Sequence, residues 1–322
     1  RLVDAYVGAR LNEDARRECE KYFQKYGATV AGLAARARLN LMARQTRQAA
    51  FDDLSAILQQ EPQNAWALVT RGWLSLRRAR FDAARDDLLA ARPLLSPQAP
   101  LANRLYVLLA EYYEAVRQPD NAIEALRTHL DTLVQRGVSI EQREPVIIEL
   151  VKRLRKYDKL DEAQRVVSEH MERHPDSPRW PELLGETLLV RAENADRKGD
   201  QTAAARDYAA AANYFGRAAE RYGEAELVGM AQSFSKRLEA MVRANQAREA
   251  LAAFQQFPIS KLAVRPSNIP EPAWPMVSAR IRALILPAIG RVHWSLNDSS
   301  AARAPLGQAL QVLAQLSALR RR

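Results

Sequence analysis

Apolar residues in this 322-residue chain recur at the spacing of a helix face, not in the alternation of a strand. Residues 65–97 show the pattern most clearly. Leu68, Gly72 and Leu76 share one face of a first helix, and Arg80-Phe81-Asp82 turns the chain. Ala84, Leu88 and Ala91 mark the packed face of a second helix, which Pro97 ends. Small residues at Gly72 and Ala84 let the two backbones approach where a larger side chain would wedge them apart. So short a pair cannot bury its apolar face alone, which predicts stacking on copies of itself.

The copies are present. Ala84 recurs as Ala15, Ala50, Ala122, Ala163, Ala204, Ala250 and Ala302. Four residues after each stands an apolar residue: Cys19, Leu54, Leu88, Leu126, Val167, Tyr208, Phe254 and Leu306. Successive alanines are 35, 34, 38, 41, 41, 46 and 52 residues apart, so the array loosens towards its end. Pro62, Pro97 and Pro175 fall where second helices should stop.

This pattern resembles the tetratricopeptide repeat, a helix–turn–helix unit of about 34 residues. Residues 31–64, 65–98 and 144–177 match it best. The last carries Lys159-Leu160-Asp161-Glu162-Ala163 at its turn and ends in His174-Pro175-Asp176. The resemblance implies an all-α, right-handed superhelical solenoid of antiparallel helix pairs with no sheet. About seven pairs are expected after a truncated first one. The repeat array is assigned to residues 1–257, with repeats near 31–64, 65–98, 103–136, 144–177, 178–222 and 225–257. A Pro-rich linker at 258–275 and a terminal pair at 276–322 follow, with Pro287 expected to kink that pair's first helix or delay its start. Residues 137–142 read as a turn-like insert. Residues 178–198 and 201–222 read as long helices meeting at Gly199-Asp200, with Asp200 capping the second. The first residues already look like the end of a helix, so the chain reads as a segment of a larger multi-repeat protein.

Composition narrows the function classes. No apolar run approaches the ~20 residues of a membrane-spanning helix. The single cysteine excludes an internal disulfide. Arginine outnumbers lysine 40 to 8 in an alanine-rich chain, which points to GC-rich codon usage and a bacterial source. Net charge is +10, and residues 258–322 hold nine Lys/Arg against two acids, +7 of that total. Arg280, Arg282, Arg291, Arg303 and Arg320–Arg322 therefore carry the alternative reading, binding to nucleic acid or an anionic surface. No nucleic-acid motif accompanies them.

Catalytic signals are absent, and the chain reads as a non-enzyme without cofactor or metal. His170 and His174 stand at i and i+4, but Met171 replaces the glutamate that a metalloprotease helix needs. Asp52-Asp53 and Asp86-Asp87 read as acids favouring the start of second helices. Cys19 lies on an apolar face, and Asn297-Asp298-Ser299 reads as a capping turn.

Binding is the remaining role. In the tetratricopeptide superhelix the first helix of each pair lines the concave groove, which implies partner-binding positions at Trp66, Trp73, Arg77, Glu111, Lys152 and Arg155. Val69, Val107, Glu114, Ile148, Leu189, Glu193 and Asp196 join them on the same register. Ala35 and Leu39, or Val69 and Trp73, stand where some members clamp chaperone tails, so that clamp is missing. The expected function is a protein-interaction scaffold for a protein or peptide partner. A bacterial envelope or polysaccharide-secretion assembly is one setting for it, and the sequence leaves periplasm and cytoplasm both open.

Overall fold

The computed structural model describes residues 12–222, 226–256, 265 and 267–319. These residues form α-helices joined by turns and short 3-10 segments, with no strand among them. Helix α1 (Asn12–Tyr26) precedes seven pairs. They are α2 (Val30–Leu41) with α3 (Arg47–Gln60), α4 (Ala65–Arg77) with α5 (Phe81–Ala91), and α6 (Pro100–Ala115) with α7 (Pro119–Gln135). Next come α8 (Ile140–Lys156) with α9 (Leu160–Arg173), and α10 (Arg179–Arg197) with α11 (Gln201–Tyr222). Last are α12 (Leu227–Arg243) with α13 (Ala247–Gln256), and α14 (Trp274–Ser295) with α15 (Ser299–Leu319). Residues 1–153 and 154–322 form two compact units.

One turn is reused in six pairs. Ala79, Arg117, Asp158, Gly199, Asn245 and Asn297 adopt positive φ, between 55° and 81°. The residue after each donates its N–H to the carbonyl five positions back, as Arg80 does to Ser75 and Gln118 to Tyr113. This is the Schellman closure, which satisfies carbonyls that a helix end would leave bare. Each left-handed residue precedes its anchor alanine by five positions, so the turn sets the register of the second helix. In α4–α5 the reversal therefore centres on Ala79, one residue before the expected Arg80-Phe81-Asp82. Asp200 caps α11 as expected, accepting from the Ala203 N–H at 2.9 Å.

In the first unit the anchors Ala15, Ala50, Ala84 and Ala122 are fully buried. Cys19, Leu54, Leu88 and Leu126 are buried beside them. A Cβ on Gly72 would come within 3.0 Å of the Leu88 side chain, which would have to shift, so this close α4–α5 approach favours glycine. The second unit repeats the arrangement with Ala163, Ala204, Ala250 and Ala302 buried. There Gly185 meets the Phe215 ring, and α14 packs on α12 through Leu227, Ala231, Ile281 and Ile285.

Two expectations are corrected. Asp53 and Asp87 are the seventh residues of α3 and α5, beyond the first turn that a helix dipole favours. They are buried and accept from arginines on the preceding helix, Arg36 to Asp53 and Arg71 to Asp87. Arg191 and Asp207 repeat the device between α10 and α11. Second, α14 starts at Trp274, inside the expected linker, because Pro275 falls in its first turn where a missing N–H breaks no helical bond. Pro287 lies inside the helix without delaying that start. Residues 1–11, 223–225, 257–264, 266 and 320–322 lie outside the described residues, so the truncated opening, much of the Pro-rich segment and Arg320–Arg322 do too.

Candidate partner-binding groove

In the first unit, α4, α6 and α8 line an open groove with a cavity volume of 530 Å³. Its wall is mainly apolar, formed by Trp73, Val107, Leu108, Pro145, Val146 and Ile148. Trp73 is half-buried, packed against the α2–α6 core and lining the groove. The Arg47 and Arg104 guanidinium carbons lie 5.3 and 5.6 Å from its ring centroid, within cation–π range. Arg104 lines the groove, is exposed, and forms no ion pair among the described residues. Nothing in its sequence context singles it out, since one arginine among 40 carries no pattern.

The other expected cations are already committed. Arg77 donates to Glu111 at 2.7 Å, tying α4 to α6. Lys152 and Arg153 both reach Glu149, at 2.8 and 2.6 Å, and Arg153 lies 3.7 Å from Glu114. Burial works to raise the Glu149 carboxyl, but these two hydrogen-bonded cations hold it below its ordinary value. Behind the groove, the Asn103 amide oxygen lies 2.8 Å from His129 Nε2. Burial pushes the His129 imidazole down to about 4, and its ring stacks on Tyr106 at 4.2 Å.

Of the expected partner-binding residues, Trp73, Arg77 and Glu111 meet in this groove with Val107 and Ile148. Trp66 is half-buried beside Arg38 and packs on the core without lining the groove. Lys152 is exposed and reaches the wall only through Glu149. Val69 is fully buried, which corrects its expected groove position: it lies one turn before Trp73 but on the core side of α4.

In the second unit, Arg155 is mostly buried and pairs with Glu186 at 2.6 Å. Lys236 bridges Glu186 and Glu182, and the Tyr222 hydroxyl donates to Glu182. Burial raises the Tyr222 phenol, and the Glu182 hydrogen bond adds to the shift. Glu193 pairs with Arg243. Among the basic C-terminal residues, Arg291 pairs with Glu239, whereas Arg282 bonds only the neutral Ser278 hydroxyl and keeps its charge.

His174 is the C-cap of α9 at φ −135°, so the two histidines do not share a helix face. No group of three or more His, Cys, Asp or Glu among the described residues could hold a metal ion. Burial raises the Cys19 thiol, although Arg36 opposes the shift. Among the described residues, no helix is long and apolar enough to cross a membrane.

No family model and no curated protein matches the chain. Solved structures similar to it include a monomeric mutant of IFIT1 with Gppp-AAAA, at 14% identity and a TM-score of 0.47, covering 97% of this chain and 67% of that one. A tetratricopeptide repeat protein from Parabacteroides merdae aligns at 12% identity and a TM-score of 0.41, covering 95% and 97%. The apo form of the quorum sensor NprR from B. thuringiensis aligns at 12% identity and a TM-score of 0.42, covering 97% of each chain. The tetratricopeptide-like fold stands on the helix pairs, shared turn and buried anchor alanines described above.

Proposed function

We propose that the chain is a non-catalytic interaction scaffold, holding an extended or helical segment of a protein partner across α4, α6 and α8. The observation that carries this reading is the apolar groove beside Trp73, with an aromatic ring flanked by arginine at its edge. Tryptophan and arginine are enriched at binding hot spots, where a few buried anchors carry most of the energy. The partner offers an apolar anchor to Trp73, Val107 and Ile148, with an acidic residue beside it. Arg104 answers that acid, since Arg77, Lys152 and Arg155 already have carboxylates. A setting in a bacterial envelope or polysaccharide-secretion assembly belongs to the same proposal, on the strength of the elongated α10 and α11, 19 and 22 residues long.

A photo-crosslinking residue placed at Val107, and in a separate variant at Glu124 on the exposed back of α7, tests the groove. The reading expects one partner segment to be captured from position 107 and not from 124. Capture from 124 alone would move the binding surface to the back of the second helices.

A further inference from the structure

Four arginines of the first unit meet aromatic rings instead of carboxylates. The Arg78 and Arg80 guanidinium carbons lie 4.9 and 6.0 Å from the Phe51 ring centroid. Phe51 stands one helical turn after Arg47 on α3, and Arg47 meets Trp73 as Arg104 does. The row therefore runs from the α4–α5 turn, across α3 and α4, to the groove that Arg104 lines. Arg80 and Arg104 are exposed, and Arg47 and Arg78 half-buried.

Neighbouring arginines are committed: Arg36, Arg71, Arg77 and Arg85 each hold an aspartate or glutamate. Those in the row form no ion pair among the described residues. The acids nearest in sequence are engaged elsewhere. Asp52 accepts from the Gln48 amide, and Asp82 and Asp86 lie against Arg85. Arg47 Nε and Arg78 Nη1 are shielded from solvent and meet no acceptor among the described residues. A ring contact holds a guanidinium in place without neutralising it, so positive charge is kept at one end of the groove.

We infer that this row binds the carboxylates of an acidic peptide run, and that the run continues into the segment held in the groove, a second part that rests on the function proposed above. The partner then lies with its acidic end over Phe51 and its apolar anchor between Val107 and Ile148. Past Arg104 the groove wall is mainly apolar, and its remaining cation, Arg77, is paired with Glu111. A nucleic-acid strand, anionic at every residue, would run on there without counter-charge, whereas a peptide can change from acidic to apolar. Phe51 and Trp73 also carry guanidinium groups over their rings, which leaves them poor platforms for stacked bases. Charge complementarity therefore favours the acidic peptide.

Fluorescence anisotropy with three labelled probes tests this: an oligoglutamate peptide, the same peptide followed by a leucine-rich run, and an oligouridylate of equal length. Oligoglutamate is expected to bind, and Arg80→Glu and Arg78→Gln each to weaken it at least ~5-fold. Arg80 is exposed, so its variant keeps the fold. Arg136→Glu makes the same charge change at the C-terminal end of α7 and should alter affinity less than ~2-fold, because screening confines the attraction to nearby charges. The leucine-rich run should tighten binding, and Val107→Glu should remove that gain alone. If the run adds nothing while the arginine variants still act, the row stands and the groove reading fails. Three results would overturn the inference: oligoglutamate that does not bind, equal losses in Arg80→Glu and Arg136→Glu, or oligouridylate that binds more tightly through the same arginines.

Discussion

The Arg77 guanidinium donates to the Glu111 carboxylate at 2.7 Å, across 34 positions of sequence, and so joins the first helices of successive pairs. The arginine is half exposed and the carboxylate one-third exposed. Pairs this wet contribute under about 1 kcal/mol. Arg77→Ala is therefore expected to lower unfolding free energy by no more than that, read by denaturant titration. It should leave the association rate of a groove-bound partner nearly unchanged. Arg104→Ala should slow association and flatten its salt dependence, because Arg104 pairs with no carboxylate among the described residues.

Arg71 and Asp87 behave differently because both are largely out of water, at 27% and 8% exposure. Arg71→Met strands a buried carboxylate and should cost about 3 kcal/mol. Asp87→Asn should cost less, since the freed guanidinium still reaches solvent. Equal losses in the two variants, read by denaturant titration, would show that the aspartate draws no special stability from its partner.

His129 makes stability pH-dependent. Burial lowers its folded pKa from 6.5 to about 4, so the unfolded chain binds the proton more readily. Its contribution is complete above pH 6.5 and is lost as pH falls towards 4, on the order of 3 kcal/mol in all. His129→Gln should flatten that part of the stability profile relative to wild type. Parallel profiles between pH 6.5 and 4 would exclude the histidine as its source.

The shared turn yields a stabilising change. Ala79 holds φ 55°, a left-handed conformation that costs a side-chain-bearing residue about 1–2 kcal/mol. Ala79→Gly should raise stability by about 0.5–1 kcal/mol after the added chain entropy of glycine is subtracted. Gly199→Ala, at φ 81°, should lower it by a similar amount. Thermal melts of the two variants should shift in opposite directions.

Such turns mark where the sequence became hard to read. The anchor alanines were legible because close helix approach selects small residues at a fixed spacing, and all eight are buried. The left-handed positions were not, because Ala79, Arg117 and Asp158 stand where glycine would have announced them. The buried Arg–Asp pairs had a signal that was misread: an arginine 13 or 14 residues before the anchor and an aspartate three after it. Arg36, Arg71 and Arg191 share that spacing with Asp53, Asp87 and Asp207. The groove was legible in part. Trp73, Glu111 and Ile148 follow from register, whereas one turn of error put Val69 there, and ion pairing, invisible in sequence, withdrew Arg155 and left Arg104.

The most direct test is the affinity of Val107→Glu for the partner segment captured by crosslinking. Val107 is half-buried on the groove wall, so a carboxylate there repels an acidic, apolar ligand without opening the core. The expected result is a dissociation constant at least ~30-fold weaker, with the melting temperature close to wild type. An unchanged dissociation constant would contradict binding across α4, α6 and α8.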